Sequence, residues 1–399
     1  MQPSALNVKP CSQLQTTPST RRSWGGAFGF GLGLSLLFIG SCGLQPASAP
    51  GAETEAADTA ALHLTDPAAE SAAPATGETS SDPAASPTLF SSPIYCNEAP
   101  PAGAKVAPAP PKYTGGTCPK LVSGKNAIKS TGHDRTFLLV IPKDLKSDEL
   151  LPVVFLWHWL GGSADSFLRK GEVQAAADSQ RFIAVLPESK SDMIFRWPFN
   201  VGDSAARQEE EFKFFDDMLS CVSEQFKANS NCVSSVGVSA GALFTSQLAQ
   251  GRAQYLASAI SLSGGVGEEG SGVVKPWKTP ARKVPMMVLW GGPFDWCVVI
   301  NFNTASLTLE TALAKDGNFF IECVHNCKHG EPPMDTPPPG LSKYSSLWRF
   351  VFDHPYWLAP GASPYKTSGI PSGAGFPAWC GIGKGSARMR TGMCPAAGC

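Results

Sequence analysis

Short apolar runs alternate with amphipathic segments between residues 136 and 352 of the chain. Continuous apolar runs are typical of strands buried on both faces, and they lie at residues 136–141, 151–158, 182–186, 233–238, 257–262, 284–289 and 319–324. Segments with apolar residues at helical spacing separate several of these runs, at residues 209–226, 240–250, 304–314 and 343–352. This alternation predicts an α/β fold with a mostly parallel central sheet and helices on both faces.

The first 41 residues have the pattern of an export signal. Arg21 and Arg22 precede an uncharged, largely apolar stretch that ends in the letters IGSC at Cys42. A basic region, an apolar region and small residues in this order are typical of export signals, and the ending resembles the lipobox of bacterial lipoproteins. We therefore predict lipidation of Cys42 and a lipid-anchored position at the cell envelope or outside the cell. Ordinary cleavage and an uncleaved anchor are the alternatives.

Residues 42–93 differ in composition from the rest of the chain. They are mainly Ala, Pro, Ser, Thr and Gly, and residues 43–93 hold seven acidic and no basic residues. Such a segment cannot bury enough apolar surface to offset the entropy lost on ordering, so we predict a disordered acidic linker. Residues 94–399 then form one catalytic domain, whose Gly-, Pro- and Cys-rich tail from about residue 360 is predicted to lack regular structure.

Overall composition excludes some classes of protein. With 43% hydrophobic residues in 399, the chain can build a sizeable core, which argues against disorder throughout. A net charge of −1 argues against a nucleic-acid binder, because such proteins depend on clustered basic residues. Twelve cysteines indicate an oxidising compartment.

A candidate nucleophile lies at a junction between a predicted strand and a predicted helix. Residues 237–241 read GVSAG, a G-x-S-x-G pattern with Ser239 at its centre. The pattern alone is weak, but here the chain must turn tightly from strand to helix, which raises the serine above the sheet edge. The alternative is a close-packed corner in which Ser239 is merely small.

A nucleophilic serine needs a base and an acid that orients the base. In sheets of this type the acid and the histidine follow the serine, each after a later strand. Asp295 follows the run that ends at residue 289, and His329 lies in the loop after the run 319–324. We predict a Ser239–His329–Asp295 triad, with His325 as the alternative base.

Acyl transfer also needs hydrogen-bond donors for the developing oxyanion. The amide of Ala240, directly after the nucleophile, is one candidate. The other should come from the loop after the second run, where we favour the amide of Leu160, with Trp159 as the next choice. His158 in that loop is predicted to act as a supporting hydrogen-bonding residue.

With these pieces in order, residues 115–358 resemble the α/β-hydrolase superfamily, and within it the secreted polyhydroxybutyrate depolymerase and feruloyl or acetylxylan esterase group. The likeness rests on LPVVFLWHWLGGSADSF, GVSAG, Asp295 after VLWGG, the loop ending at His329, and WRFVFDHP. It implies the α/β-hydrolase fold and ester chemistry. The chain departs from the group's usual pattern at Trp159, where a glycine is common, and in its acid loop, WGGPFDWC.

Ten cysteines remain when Cys11 and Cys42 are set aside, and an even number in an exported chain predicts five disulfides. Pairings are not readable from sequence, but the layout suggests Cys221 with Cys232, and Cys297 with Cys327 or Cys323. A metal site at residues 323–329 is the alternative. We predict no metal and no cofactor.

The sequence therefore predicts an exported serine ester hydrolase that acts on a polymeric or aryl ester. Its expected partners are the ester substrate and, through the lipid anchor, a membrane, with no nucleic acid. Aromatic residues in loops near the site are candidates for a substrate-binding rim: Trp159, Phe167, Trp197, Phe294 and Trp296. A serine peptidase of the same fold and a catalytically inactive binding module are the alternatives.

Overall fold

The computed structural model describes residues 94–270, 272–395 and 399. The predicted export signal, Cys42 and the predicted linker lie outside these residues. Within the described ranges, no helix is long and apolar enough to cross a membrane.

The core of the domain is a nine-stranded sheet in the order β1-β2-β4-β3-β5-β6-β7-β10-β11. Strands β4, β3, β5, β6, β7 and β10 are parallel, whereas β1, β2 and β11 pair antiparallel with their neighbours. A two-stranded hairpin, β8 with β9, stands apart from this sheet. The strands are β1 Gly124–Ser130, β2 His133–Val140, β3 Leu151–Trp157, β4 Ile183–Pro187, β5 Ala228–Val238, β6 Ser258–Leu262, β7 Met286–Trp290, β8 Trp296–Cys297, β9 Ile300–Asn301, β10 Phe320–Val324 and β11 Cys380–Ile382.

Helices cover both faces of the sheet and divide the core into two apolar clusters. One cluster packs α3, α4 and α5 on the sheet, and the other packs α1, α2 and α6 on the opposite face. Because both faces are covered, strands β3, β4, β6, β7 and β10 are buried along their whole length. The helices are α1 Ala164–Lys170, α2 Val173–Gln180, α3 Ala205–Gln225, α4 Ala240–Gly251, α5 Phe302–Asp316, α6 Ser345–Phe352 and α7 Tyr365–Ser368.

The predicted α/β-hydrolase fold class is confirmed, and each predicted strand and helix is present with ends shifted by a few residues. Strand β1 was not predicted, because it alternates between exposed and buried positions and so gives no continuous apolar run. The tail after residue 360 differs from the expectation of no regular structure. It contains α7, and its strand β11 pairs with β10 to form one edge of the sheet.

Parallel strands in this arrangement present their carboxyl ends at one edge of the sheet. The loops that leave β3, β4, β5, β7 and β10 therefore gather there, and they carry the candidate site residues.

Candidate active site

Ser239 is the single residue between β5 and α4. Its backbone is strained, with φ 56° and ψ −118°, which an L-residue rarely adopts. A Cβ on Gly237 would lie 2.1 Å from the Gly241 carbonyl oxygen, and a Cβ on Gly241 would lie 2.1 Å from that of Trp157. Glycine is therefore required on both sides of this turn, which gives the G-x-S-x-G pattern its physical meaning.

A continuous hydrogen-bonded chain joins Ser239, His329 and Asp295. The Ser239 Oγ lies 2.8 Å from His329 Nε2, and His329 Nδ1 lies 2.7 Å from Asp295 Oδ1. Asp295 is completely buried, and its Oδ2 accepts the Gly291 N–H at 2.7 Å. A carboxylate at Nδ1 fixes the hydrogen on that nitrogen and leaves Nε2 free to accept a proton from the serine hydroxyl.

The loops carrying the acid and the histidine are packed against each other. Gly291, after β7, accepts the Lys328 N–H at 3.2 Å, and a Cβ on Gly291 would lie 1.6 Å from the Lys328 carbonyl oxygen. Phe302, which was not predicted as a site residue, packs against the His329 ring and donates its backbone N–H to the Asp295 carbonyl at 2.9 Å. These contacts fix the separation of the Asp295 and His329 loops.

The structure gives the other histidines different surroundings. His325, the alternative base, is buried, accepts the Cys327 N–H at Nδ1, and has its pKa lowered to about 4 by burial. The Ser239 hydroxyl forms its hydrogen bond with His329 and not with His325. His354 is buried after α6, with its Nδ1 2.7 Å from the Phe350 carbonyl oxygen.

The candidate oxyanion donors lie at the N-terminus of α4 and in the loop after β3. Ala240 is the first residue of α4, where an N–H has no acceptor within its own helix. The second residue of that helix, Gly241, lies against the backbone of Trp157 and His158, so the α4 N-terminus adjoins the loop that contains Trp159 and Leu160. The donor roles of Ala240, Leu160 and Trp159 remain predictions.

The Trp159 side chain packs against its own loop. Its ring folds over Gly162, where a Cβ would come within 2.8 Å of the ring atoms. The ring also contacts Phe167, with centroids 6.2 Å apart, and the Lys170 Nζ lies 5.2 Å from its centroid. The side chain is half-buried and forms a wall on the α1 side of the loop.

Two of the five predicted rim aromatics are not at the rim. Trp197 is completely buried, with its Nε1 donating to the His158 carbonyl at 2.8 Å, so the expectation for it is wrong. The expectation of a rim position for Phe167 is also wrong, because Phe167 lies on the buried side of α1 beneath Trp159. Phe294 and Trp296 are 76% and 52% exposed and flank the buried Asp295.

All ten cysteines of the domain form five disulfides, as predicted, but the suggested pairings are wrong. The pairs are Cys96–Cys232, Cys118–Cys221, Cys297–Cys399, Cys323–Cys380 and Cys327–Cys394. Cys221 and Cys232 cannot pair because they belong to the apolar clusters on opposite faces of the sheet, and the sheet likewise separates Cys297 from Cys323.

Disulfides from the tail hold both loops of the hydrogen-bonded chain. Cys297, two residues after Asp295, and Cys327, two residues before His329, each bind a tail cysteine rather than each other. The alternative metal site at residues 323–329 would use Cys323 and Cys327 as ligands, but both cysteines form disulfides. Within the described ranges, no three His, Cys, Asp or Glu side chains are grouped to hold a metal ion.

Comparison with known proteins finds a partial sequence similarity to one esterase and a fold shared with solved structures. No family model matches it. Feruloyl esterase D of Neurospora crassa is 26% identical over 162 residues, which cover 40% of this chain and only 56% of that protein. A pOPH variant in complex with DMSO superposes with a TM-score of 0.54 at 17% identity, covering 68% of this chain and 98% of the other. Native sOPH gives 0.52 at 16% identity, covering 69% and 99%. At these identities the two structures show a shared fold alone.

Proposed function

We propose that this chain is an exported serine carboxylic-ester hydrolase that works through an acyl-enzyme. The observation that carries the proposal is the hydrogen-bonded chain from Ser239 through His329 to the buried Asp295. A strained serine at a strand-to-helix turn, a histidine within proton-transfer distance and an orienting carboxylate are the parts that acyl transfer requires. The partial likeness to a feruloyl esterase supports ester chemistry.

In the proposed reaction the Ser239 Oγ attacks the ester carbonyl carbon while its proton passes to His329 Nε2. Asp295 stabilises the imidazolium that forms. The carbonyl oxygen becomes an oxyanion, which the amides of Ala240 and Leu160 would hold. The intermediate then expels the alcohol, which takes the proton from His329.

Water then hydrolyses the acyl-enzyme with the help of the same groups. His329 removes a proton from the attacking water, a second oxyanion forms at the same donors, and the acid leaves as the proton returns to Ser239. All proton movements run through one imidazole, and the proposed mechanism uses no metal or organic cofactor.

We propose a polymeric or aryl ester as the substrate. The Neurospora crassa relative is named a feruloyl esterase, and ferulate esters carry an aromatic acyl group. Phe294 and Trp296 present exposed aromatic side chains on either side of Asp295, where an aryl group or a polymer chain could bind. Exposed apolar surface beside a reactive site is typical of a ligand-contacting surface.

Export with a lipid anchor is the localisation we propose. Five disulfides are typical of proteins that mature in an oxidising compartment. The anchor would be attached at Cys42. Metabolic palmitate labelling of the wild type that is lost in Cys42→Ser would support it, and an unlabelled wild type would refute it.

Fluorophosphonate labelling tests the proposed chemistry directly. The wild type should be labelled and should hydrolyse p-nitrophenyl acetate, whereas Ser239→Ala should do neither. Ser147→Ala, at an exposed serine remote from the site, is the matched control and should behave as the wild type. Labelling with turnover of peptides but not esters would indicate the peptidase instead. A wild type that is neither labelled nor active would indicate an inactive binding module.

A further inference from the structure

The carbonyl groups of three consecutive residues after β3 are each held by a side chain. The His158 carbonyl accepts from Trp197 Nε1 at 2.8 Å, and the Leu160 carbonyl accepts from Arg196 Nε at 3.3 Å. Between them, the Trp159 carbonyl lies 2.8 Å from His158 Nδ1. Trp197 and Arg196 both come from the loop after β4, so this loop fixes the turn that contains the Leu160 amide.

The His158 contact determines where the Leu160 amide points. The Trp159 carbonyl and the Leu160 N–H belong to one planar trans peptide, so they point in opposite directions. His158 Nδ1 and the Gly162 N–H, at 2.9 Å, both donate to that carbonyl and occupy its two lone pairs. With the carbonyl held on one side, the Leu160 N–H is directed to the other side.

A carboxylate lies beside the buried imidazole of His158. His158 is completely buried, and its Nε2 lies 3.4 Å from Oε1 of Glu188, the first residue after β4. The other Glu188 oxygen accepts the Ala164 N–H at 2.9 Å. Burial raises the pKa of Glu188, but the contacts with His158 and the Ala164 amide outweigh it and lower the pKa overall, so Glu188 is a carboxylate. Because a carbonyl oxygen only accepts, His158 Nδ1 is the donor in its contact with Trp159.

We propose that His158 is a positioning residue for the oxyanion donor Leu160. This inference rests on the proposed ester hydrolase function. His158 touches no reacting atom. It acts through the Trp159–Leu160 peptide, whose N–H must be aligned before the oxyanion forms, because preorganised donors give the largest stabilisation.

Two amide variants separate the two contacts of the ring. In His158→Asn the side-chain N–H lies near the position of Nδ1 and can still donate to the Trp159 carbonyl. In His158→Gln the N–H lies near the position of Nε2 and can reach only Glu188. The variants differ by one methylene group, so a change that merely disturbs packing should affect both.

We expect His158→Gln to lower kcat on p-nitrophenyl acetate by about 10- to 100-fold with little change in KM, somewhat less than the loss of an oxyanion donor itself. His158→Asn should retain most of the wild-type kcat. The preference of the enzyme for an oxygen ester over the matching thionoester should also fall in His158→Gln, since a sulfur anion fits an oxyanion site poorly. Thermal unfolding of both variants provides the structural control.

Two results would overturn the inference while leaving the proposed function in place. One is an active wild type with both variants at wild-type kcat. The other is a parallel loss of kcat and thermal stability in both variants, with the thionoester preference unchanged. An inactive wild type would instead refute the proposed function, and this inference with it.

Discussion

The ring of Phe302 stacks on the imidazole of His329, with centroids 4.1 Å apart and an angle of 24° between the planes. Phe302 is the first residue of α5 and is buried, and its backbone N–H bonds to the Asp295 carbonyl. One residue therefore contacts both the proposed acid and the proposed base. The stack restricts rotation of the imidazole out of the plane in which it meets Ser239.

Replacement of Phe302 by leucine should reduce turnover more than it reduces stability. Leucine preserves an apolar contact but not the flat surface, so we expect kcat to fall by about 10-fold, because misplaced catalytic groups lose much of their effect. Steady-state kinetics and thermal unfolding measure the two effects. Phe215→Leu, in the core against Phe155, is the matched control and should lower stability without changing kcat. Equal kcat for both variants would contradict this role of the stack.

The exposed aromatics beside Asp295 should matter for large substrates only. We expect Phe294→Ser with Trp296→Ser to leave p-nitrophenyl acetate hydrolysis within about 2-fold, since a small ester needs little surface. Hydrolysis of an aryl or polymeric ester should fall by about 10-fold or more through a higher KM. Leu150→Ser, at a 58% exposed leucine beside the amino end of β3, is the control at the opposite edge of the sheet. An equal loss on both ester types would contradict a substrate-binding role.

Removal of the Cys327–Cys394 disulfide should affect both stability and activity. The double change Cys327→Ser with Cys394→Ser should cost roughly 2–4 kcal/mol of unfolding free energy, the typical range for a disulfide, and should lower kcat because His329 lies two residues from the bond. The same change at Cys118 and Cys221, which join the N-terminal segment to α3, should cost similar stability and leave kcat unchanged. Denaturant unfolding and p-nitrophenyl acetate kinetics distinguish the two pairs, and equal kcat losses would refute the prediction.

A buried carboxyl on α5 should make stability depend on pH. Burial, together with the charge of Glu322, raises the pKa of Glu310 from 4.5 to about 9. Between these values the unfolded chain has released a proton that the folded chain keeps, so stability should fall as pH rises through this window. Glu310→Gln removes the titration. The variant should match the wild type near pH 4 and become progressively more stable than it toward pH 9.

Denaturant unfolding at several pH values measures this difference. Glu224→Gln, at an exposed glutamate, is the control and should follow the wild type throughout. A constant difference between Glu310→Gln and the wild type would show that the Glu310 carboxyl does not stay protonated in the fold.

Local patterns explain what the sequence could reveal. Runs buried on both faces are continuous and apolar, so the parallel strands were predictable, and a serine at a strand-to-helix junction needs flanking glycines that the sequence displays. Asp295 and His329 follow later strands whose carboxyl ends meet at one edge, so their order along the chain predicted their approach. Their catalytic roles remain proposals.

Non-local contacts explain what the sequence did not reveal. A loop tryptophan such as Trp197 has the same local pattern whether it is exposed or supports a neighbouring loop. Disulfide partners such as Cys327 and Cys394 are 67 residues apart, and only the sheet faces decide between pairings. Glu188 had one usable signal that we did not apply: a carboxylate placed immediately after a buried strand, at the edge where the site lies.

The tail disulfides impose an order on maturation. Cys297 and Cys327 precede their partner cysteines by 102 and 67 residues. Both loops are therefore synthesised well before the tail cysteines that bind them. Oxidation after synthesis of the tail must therefore come before the two loops are locked. A molecule kept in a reducing environment would contain Ser239, His329 and Asp295 but would lack both disulfides. If the chain is exported as proposed, the proposed activity would be complete only after delivery to an oxidising compartment.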